Sequence, residues 1–220
     1  MLNFSAKLRK VERNAKEINY FVYFCSIMTE IYLVRHGETI DNARQVMQGQ
    51  MQGELNEKGK AQAQQVAEWL ATEHFDAVVA SDLHRAIQTA EIIAAPHGLS
   101  VTTTPLLRER DWGSFTGRYI PDLRGETWPD DIESEEALLQ RAREFLIYIT
   151  TTWPDSRVVA VGHGIFNKAI LAVYAQCSMR EVARMMNCEV RVLTTSAERT
   201  ASSAAVASAT VASTTTATAE

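Results

Sequence analysis

Residues 31–39, IYLVRHGET, put an arginine and a histidine side by side where a short apolar run ends in a glycine-containing turn. Such a run fits a buried strand, and open α/β sheets bind their ligands beyond the carboxyl ends of their strands. Histidine there can act as a nucleophile. The adjacent arginine offers a planar, permanently charged fork that matches phosphate oxygens. Arg35 and His36 therefore point to phosphoryl chemistry.

That chemistry needs more cations and a proton donor, and three further segments can supply them. VASDLHRAIQTAE at 79–91 is a strand running into a helix whose first turn carries Arg85. VVAVGHGIFNK at 158–168 is another apolar strand, ending in Gly162, His163 and Gly164 before a second helix. Convergence of Arg35, His36, Arg85 and His163 would make a tetrahedral oxyanion pocket. LLRERDWGSFTG at 106–117 offers Glu109 as the acid that protonates a leaving oxygen. Taken singly, Glu109 would pair with Arg108 or Arg110, and Asp82 is expected to cap the helix carrying Arg85. Trp112 and Phe115 read as pocket wall or core.

With these segments and LNEKGKAQAQ at 55–64, the chain resembles the histidine phosphatase superfamily over roughly residues 30–193, in the branch of cofactor-dependent phosphoglycerate mutases and small-molecule phosphatases. The resemblance implies that His36 is phosphorylated, that Arg35, Arg85, His163 and Gly164 bind the phosphoryl group, and that Glu109 is the general acid. It also implies a phosphate contact for Asn42 and substrate-rim positions for Gln48 and Gly49. The chemistry would run from neutral His36, with the arginines and a protonated His163 on the equatorial oxygens. No metal or other cofactor is expected, because the arginines would neutralise the charge and the sequence has no HExxH, CxxC or clustered carboxylates.

The elements that must carry these residues follow from periodicity. Strands are expected at about 31–35, 76–80, 100–104, 157–162 and 188–193. Helices are expected at about 57–72, 84–95, 134–152 and 164–176. Ala63, Val66, Ala67 and Leu70 share one helix face, which reads as sheet-packing. The alternation predicts an α/β fold, a three-layer α/β/α sandwich around a mainly parallel sheet, as in phosphoglycerate mutase-like proteins. At 220 residues and 46% hydrophobic content, one such domain can bury a sizeable core.

Residues 28–193 are expected to form that domain. Residues 1–27 carry five Lys/Arg against two acids and lead into the apolar INYFVYFCSIM. They read as an upstream start-site artefact or dispensable arm, ahead of a basic helix or a secretion signal. Residues 194–220, almost only Ala, Ser, Thr and Val, read as a disordered tail. A net charge of −5 around a local cationic pocket suits a small anionic phosphorylated substrate, not nucleic acid or membrane. Three cysteines without paired spacing suit a reducing cytoplasm. Mutases carry extra basic residues after the acid for the substrate's other charged groups. Here Tyr119, Ile120 and Pro121 stand there, with Arg118 and Arg124 the only cations close by. A phosphatase is therefore expected. A phosphoglycerate mutase is the alternative, and a non-catalytic phosphate-binding module ranks third.

Overall fold

The computed structural model describes residues 28–195. Five strands form one sheet in the order β3-β2-β4-β1-β5. They are β1 (Thr29–Arg35), β2 (Ala77–Ser81), β3 (Val101–Thr104), β4 (Arg157–Gly162) and β5 (Val190–Thr195). The β1, β2, β3 and β4 pairings are all parallel, whereas β5 runs antiparallel to β1. Four helices of three or more turns connect them, besides the one-turn helix Ile40–Ala43: α1 (Glu57–Leu70), α2 (His84–Ala94), α3 (Glu135–Thr152) and α4 (Gly164–Ala175).

The central strands are near-continuous apolar runs because both faces of the sheet are covered. Side chains alternate along them. Ile31, Leu33, Val158 and Ala160 pack against Leu138, Phe145, Phe166 and Ile170 of α3 and α4. Tyr32, Val34, Val159 and Val161 pack the opposite way, against Ala63, Leu70, Ala90 and Ile93 of α1 and α2. The result is the expected three-layer sandwich. The face foreseen for α1 is the one it buries, with Gly59 added. Asn56 starts that helix by accepting from the Gly59 N–H at 2.8 Å, and Ser134 starts α3 by accepting from Ala137 N at 3.1 Å.

At its end the sheet departs slightly from expectation. β5 begins at Val190, not 188, because Cys188 takes a left-handed backbone (φ 58°) that turns the chain into the strand. The strand continues to Thr195, which pairs with Thr29, two residues past the expected domain boundary. The expectations for residues 1–27 and 196–220 lie outside the described residues. No helix among the described residues is long and apolar enough to cross a membrane.

Candidate active site

The three central parallel strands, β2, β4 and β1, deliver their carboxyl ends to one edge of the sheet, and His36, Arg85 and His163 follow from those ends. The His36 N–H donates to Gly162 O at 3.0 Å, joining the ends of β1 and β4. The next residue must be glycine: a Cβ on Gly37 would lie 2.5 Å from Gly59 O, and one on Gly59 would lie 2.0 Å from Glu38 O. The N-terminus of α1 thus packs directly on the turn. Gly37 N donates to Thr89 Oγ1 (3.1 Å), whose hydroxyl donates to Arg85 O (2.8 Å), which fixes α2 to the same turn.

His36 is 3% exposed. Its Nδ1 lies 2.7 Å from Gly37 O. A carbonyl only accepts, so Nδ1 carries the hydrogen and Nε2 keeps its lone pair. Arg85 Nε approaches that Nε2 at 3.3 Å. Burial, then Arg85 and Arg35, holds the imidazole well below the usual histidine range, so it is neutral at neutral pH. Cys188, also near Arg35, is no rival nucleophile, because burial pushes its thiol up to about 12.

The guanidiniums are held by backbone carbonyls. Arg85 donates to Gly49 O (2.8 Å) and Gln52 O (3.1 Å), and burial lowers its pKa to about 10, which still leaves it charged. Arg35 donates to Met185 O at 2.8 Å, while its buried Nε has no partner. A Cβ on Gly164 would sit 3.3 Å from that Nε, so glycine keeps a side chain from pressing on this flank of the guanidinium. His163 is fully buried, with its ring 5.1 Å from that of His36, and neither ring nitrogen has a partner. Its backbone N–H donates to Asn167 Oδ1 at 3.1 Å. Burial, then Arg85, His36 and Arg35, drives His163 well below the usual range too. Burial and these cations therefore favour a neutral His163 ring, and the protonated form expected during phosphoryl transfer needs the negative charge of a bound phosphate beside it. Orphaned polar atoms beside two like-charged guanidiniums suit a bound oxyanion, which would accept from both. Among the described residues no three of His, Cys, Asp and Glu gather in a way that could hold a metal ion.

Glu109 does not pair with the guanidinium of either neighbouring arginine. Its Oε1 accepts from Arg110 N (2.8 Å) and Phe166 N (2.9 Å), and its Oε2 from Ile165 N (3.1 Å), so it sits on the N-terminus of α4. Arg108 instead forks onto Asp82, with Nε 2.7 Å from Oδ1. Asp82 accordingly does not cap α2, whose N-cap is Leu83 with no side-chain bond; the bidentate ion pair outcompetes the cap. Trp112 and Phe115 are buried beside the site, as expected for wall or core.

Asn42 both caps and faces the site segments. Its Oδ1 accepts from Thr39 N (3.2 Å), closing the one-turn helix Ile40–Ala43, and from Asn187 Nδ2 (3.4 Å). Gln48 Nε2 donates to Thr39 Oγ1 at 2.8 Å, and its buried Oε1 is unpartnered. Gly49 has φ 49° and no room for a Cβ, which would meet Thr116 Oγ1 at 2.9 Å.

Two supporting residues escaped the sequence. Asn187 donates to His36 O at 2.9 Å as well as to Asn42, and nothing in MNCE announces it. Arg141 donates to the carbonyls of Leu106, Arg108 and Glu109, gripping the acid-bearing loop, and pairs with Glu133 at 2.7 Å. A signal for Arg141 exists: it stands between Leu138 and Phe145 on the apolar stripe of α3, where a cation needs a buried partner.

The family model described as "Histidine phosphatase superfamily (branch 1)" matches residues 31–206. A probable phosphoglycerate mutase GpmB of Erwinia tasmaniensis is 35% identical over 181 residues, 74% of this chain and 83% of the relative. An uncharacterized phosphatase PhoE of Bacillus subtilis is 35% identical over 148 residues, 66% of this chain and 76% of the relative. The native structure of a mycobacterial glucosyl-3-phosphoglycerate phosphatase superposes with a TM-score of 0.68 at 27% identity, covering 76% of this chain and 90% of that one.

Proposed function

The chain belongs to the histidine phosphatase superfamily, and we propose that within it this protein hydrolyses a small phosphomonoester through a phosphohistidine formed on His36. The observation that carries the reading is the state of that side chain: buried, neutral, with Nδ1 committed to Gly37 O and Nε2 directed at Arg85. Nε2 attacks phosphorus in line with the ester oxygen. Arg35, Arg85 and Asn42 donate to the equatorial oxygens, where charge accumulates. His163, neutral before substrate arrives, donates through whichever ring nitrogen bears its hydrogen. Gln48, Gly49 and Gly164 shape the walls.

Glu109 gives its proton to the departing alkoxide. A carboxylate offers about four lone-pair sites. Two on Oε1 and one on Oε2 are taken by backbone N–H groups, which leaves Oε2 to carry the proton. Water then attacks the phosphohistidine, its proton passes to Glu109, and neutral His36 and inorganic phosphate are released.

Hydrolysis is favoured over transfer by the pairing of three further arginines. Arg108, Arg118 and Arg141 are paired with Asp82, Glu126 and Glu133. They are therefore not free to retain a phosphoglycerate's second charge while phosphate is handed back. The second reading, a phosphoglycerate mutase, rests on the likeness to a relative of that name. The test is phosphate release from a panel of phosphomonoesters in EDTA, for the wild type beside His36→Ala. Release by the wild type alone, with an acid-labile phosphoenzyme, supports the phosphatase. Interconversion of phosphoglycerates that needs a bisphosphate primer would replace it with the mutase.

A further inference from the structure

Eight large hydrophobic side chains are exposed among the described residues, and six of them stand on segments that frame this one site. Ile40 opens the one-turn helix after the His36 turn, and Met51 follows the loop whose Gly49 carbonyl holds Arg85. Tyr119 and Ile120 lie on the strip zipped to that loop through Ile120 N–Gln45 O (2.8 Å) and Gly117 N–Met47 O (2.7 Å). Trp128 packs edge-on against Trp112, ring centres 5.6 Å apart. Met186 sits between Met185, which holds Arg35, and Asn187, which holds His36. The other two, Trp69 and Ile147, are on α1 and α3. An apolar surface concentrated in this way marks a place where something apolar binds.

Two of the cations on the same rim are paired within it, and a third is stacked on its rings. Arg118 is paired with Glu126, and Arg108 with Asp82. Arg110 lies over the rings of Trp112 and Trp128, 5.0 and 5.4 Å from their centres, with its Nε on Glu133 O (2.8 Å). A rim of exposed apolar side chains, with two of its cations already paired, rewards an apolar leaving group.

We infer that the substrates are phosphomonoesters of bulky apolar alcohols, alkyl or aryl, whose hydrocarbon part lies on the exposed side chains of this rim, Met51, Tyr119, Ile120 and Trp128. This rests on the phosphatase reading above and names its substrate class. The loop 45–51 touches the site directly: Gly49 O binds Arg85, and Gln50 Nε2 donates to Glu109 O at 3.3 Å. An alcohol held on this rim therefore leaves its ester oxygen close to both the phosphate pocket and the acid.

The test is kcat/KM for ethyl, butyl and hexyl phosphate, below micelle-forming concentrations, beside glycerol phosphate and 3-phosphoglycerate. These alkyl esters have nearly the same leaving-group chemistry, so their ratio reports contact with the chain. A fully buried methylene is worth about fourfold, and on a rim about twofold each is expected, so hexyl should exceed ethyl by at least about tenfold. Trp128→Ala and Ile120→Ser should each shrink that ratio. Equal rates for ethyl and hexyl phosphate, or 3-phosphoglycerate as the preferred substrate, would overturn the inference and leave the phosphatase standing. So would variants that keep the ratio but alter sedimentation, since the patch would then join two copies of the chain. If no ester is cleaved by folded protein, the phosphatase reading itself fails and this one with it.

Discussion

Acidification from about pH 7.5 to about pH 5 should weaken the fold by up to about 4 kcal/mol through His36 and His163 alone. Unfolded, each histidine titrates near 6.5. Folded, both are held well below that value, first by burial and then by neighbouring cations, Arg85 foremost. Above pH 6.5 both states are neutral and the two groups contribute no pH dependence. Below it the unfolded chain takes up protons that the native state refuses, so stability falls as pH falls, until the native pKa is reached. One pH unit is worth about 1.4 kcal/mol per group. At pH 5 the deficit reaches about 2 kcal/mol for each histidine whose native ring stays neutral, hence up to about 4 for the pair. Glu38 and Asp82, lowered by Lys58 and Arg108, lose their contributions mainly below about pH 4.5, outside this window. Urea unfolding in phosphate-free buffer, for the wild type, His36→Asn, His163→Asn and the double variant, isolates the effect. The double variant should be flatter by the full amount and each single variant by about half. A wild type that loses no more stability than the double variant over this range would show that the buried rings accept protons, and would remove the neutral nucleophile from the mechanism.

Asn187 should act through Asn42. In a cycle of Asn187→Ala and Asn42→Ala, the two losses in kcat/KM should be coupled by about 0.5–3 kcal/mol, and additive losses would deny the link. Arg141→Met leaves the largely buried Glu133 unpaired and should cost about 3 kcal/mol of stability. Adding Glu133→Gln should restore stability but not kcat, because the carbonyls of the Glu109 loop remain unheld. Gly59→Ala drives a methyl into Glu38 O and should destabilise by about 2 kcal/mol or more, measured by denaturant midpoint, with activity falling as the His36 turn shifts. Glu109→Gln should cut kcat about a hundredfold to ten-thousandfold on alkyl phosphates and much less on 4-nitrophenyl phosphate, whose leaving group needs no acid. Equal loss on both would assign Glu109 a purely structural place on α4.

The amino-acid sequence by itself determined the elements and the residue types of the site. Strands such as IYLV and VVAV and the stripe of α1 are periodic over a few residues, and RHG, GHG and the two arginines announce anion chemistry through what their side chains can donate. Strand order, the antiparallel turn of β5 and the choice of partners were decided only by the folded chain. Asp82 could cap a helix or bind an arginine, and it binds Arg108 because tertiary packing brings a two-pronged donor to it. His163 could be a cation or a neutral ring, and the neutral ring is favoured because desolvation and four nearby groups, Arg85, His36, Arg35 and Arg141, all oppose the proton. Asn187 holds the carbonyl of His36 across 151 residues of chain. Periodicity and residue type are local and can be read from sequence; burial and charge proximity depend on distant segments meeting, and they set the protonation and partners on which the chemistry depends.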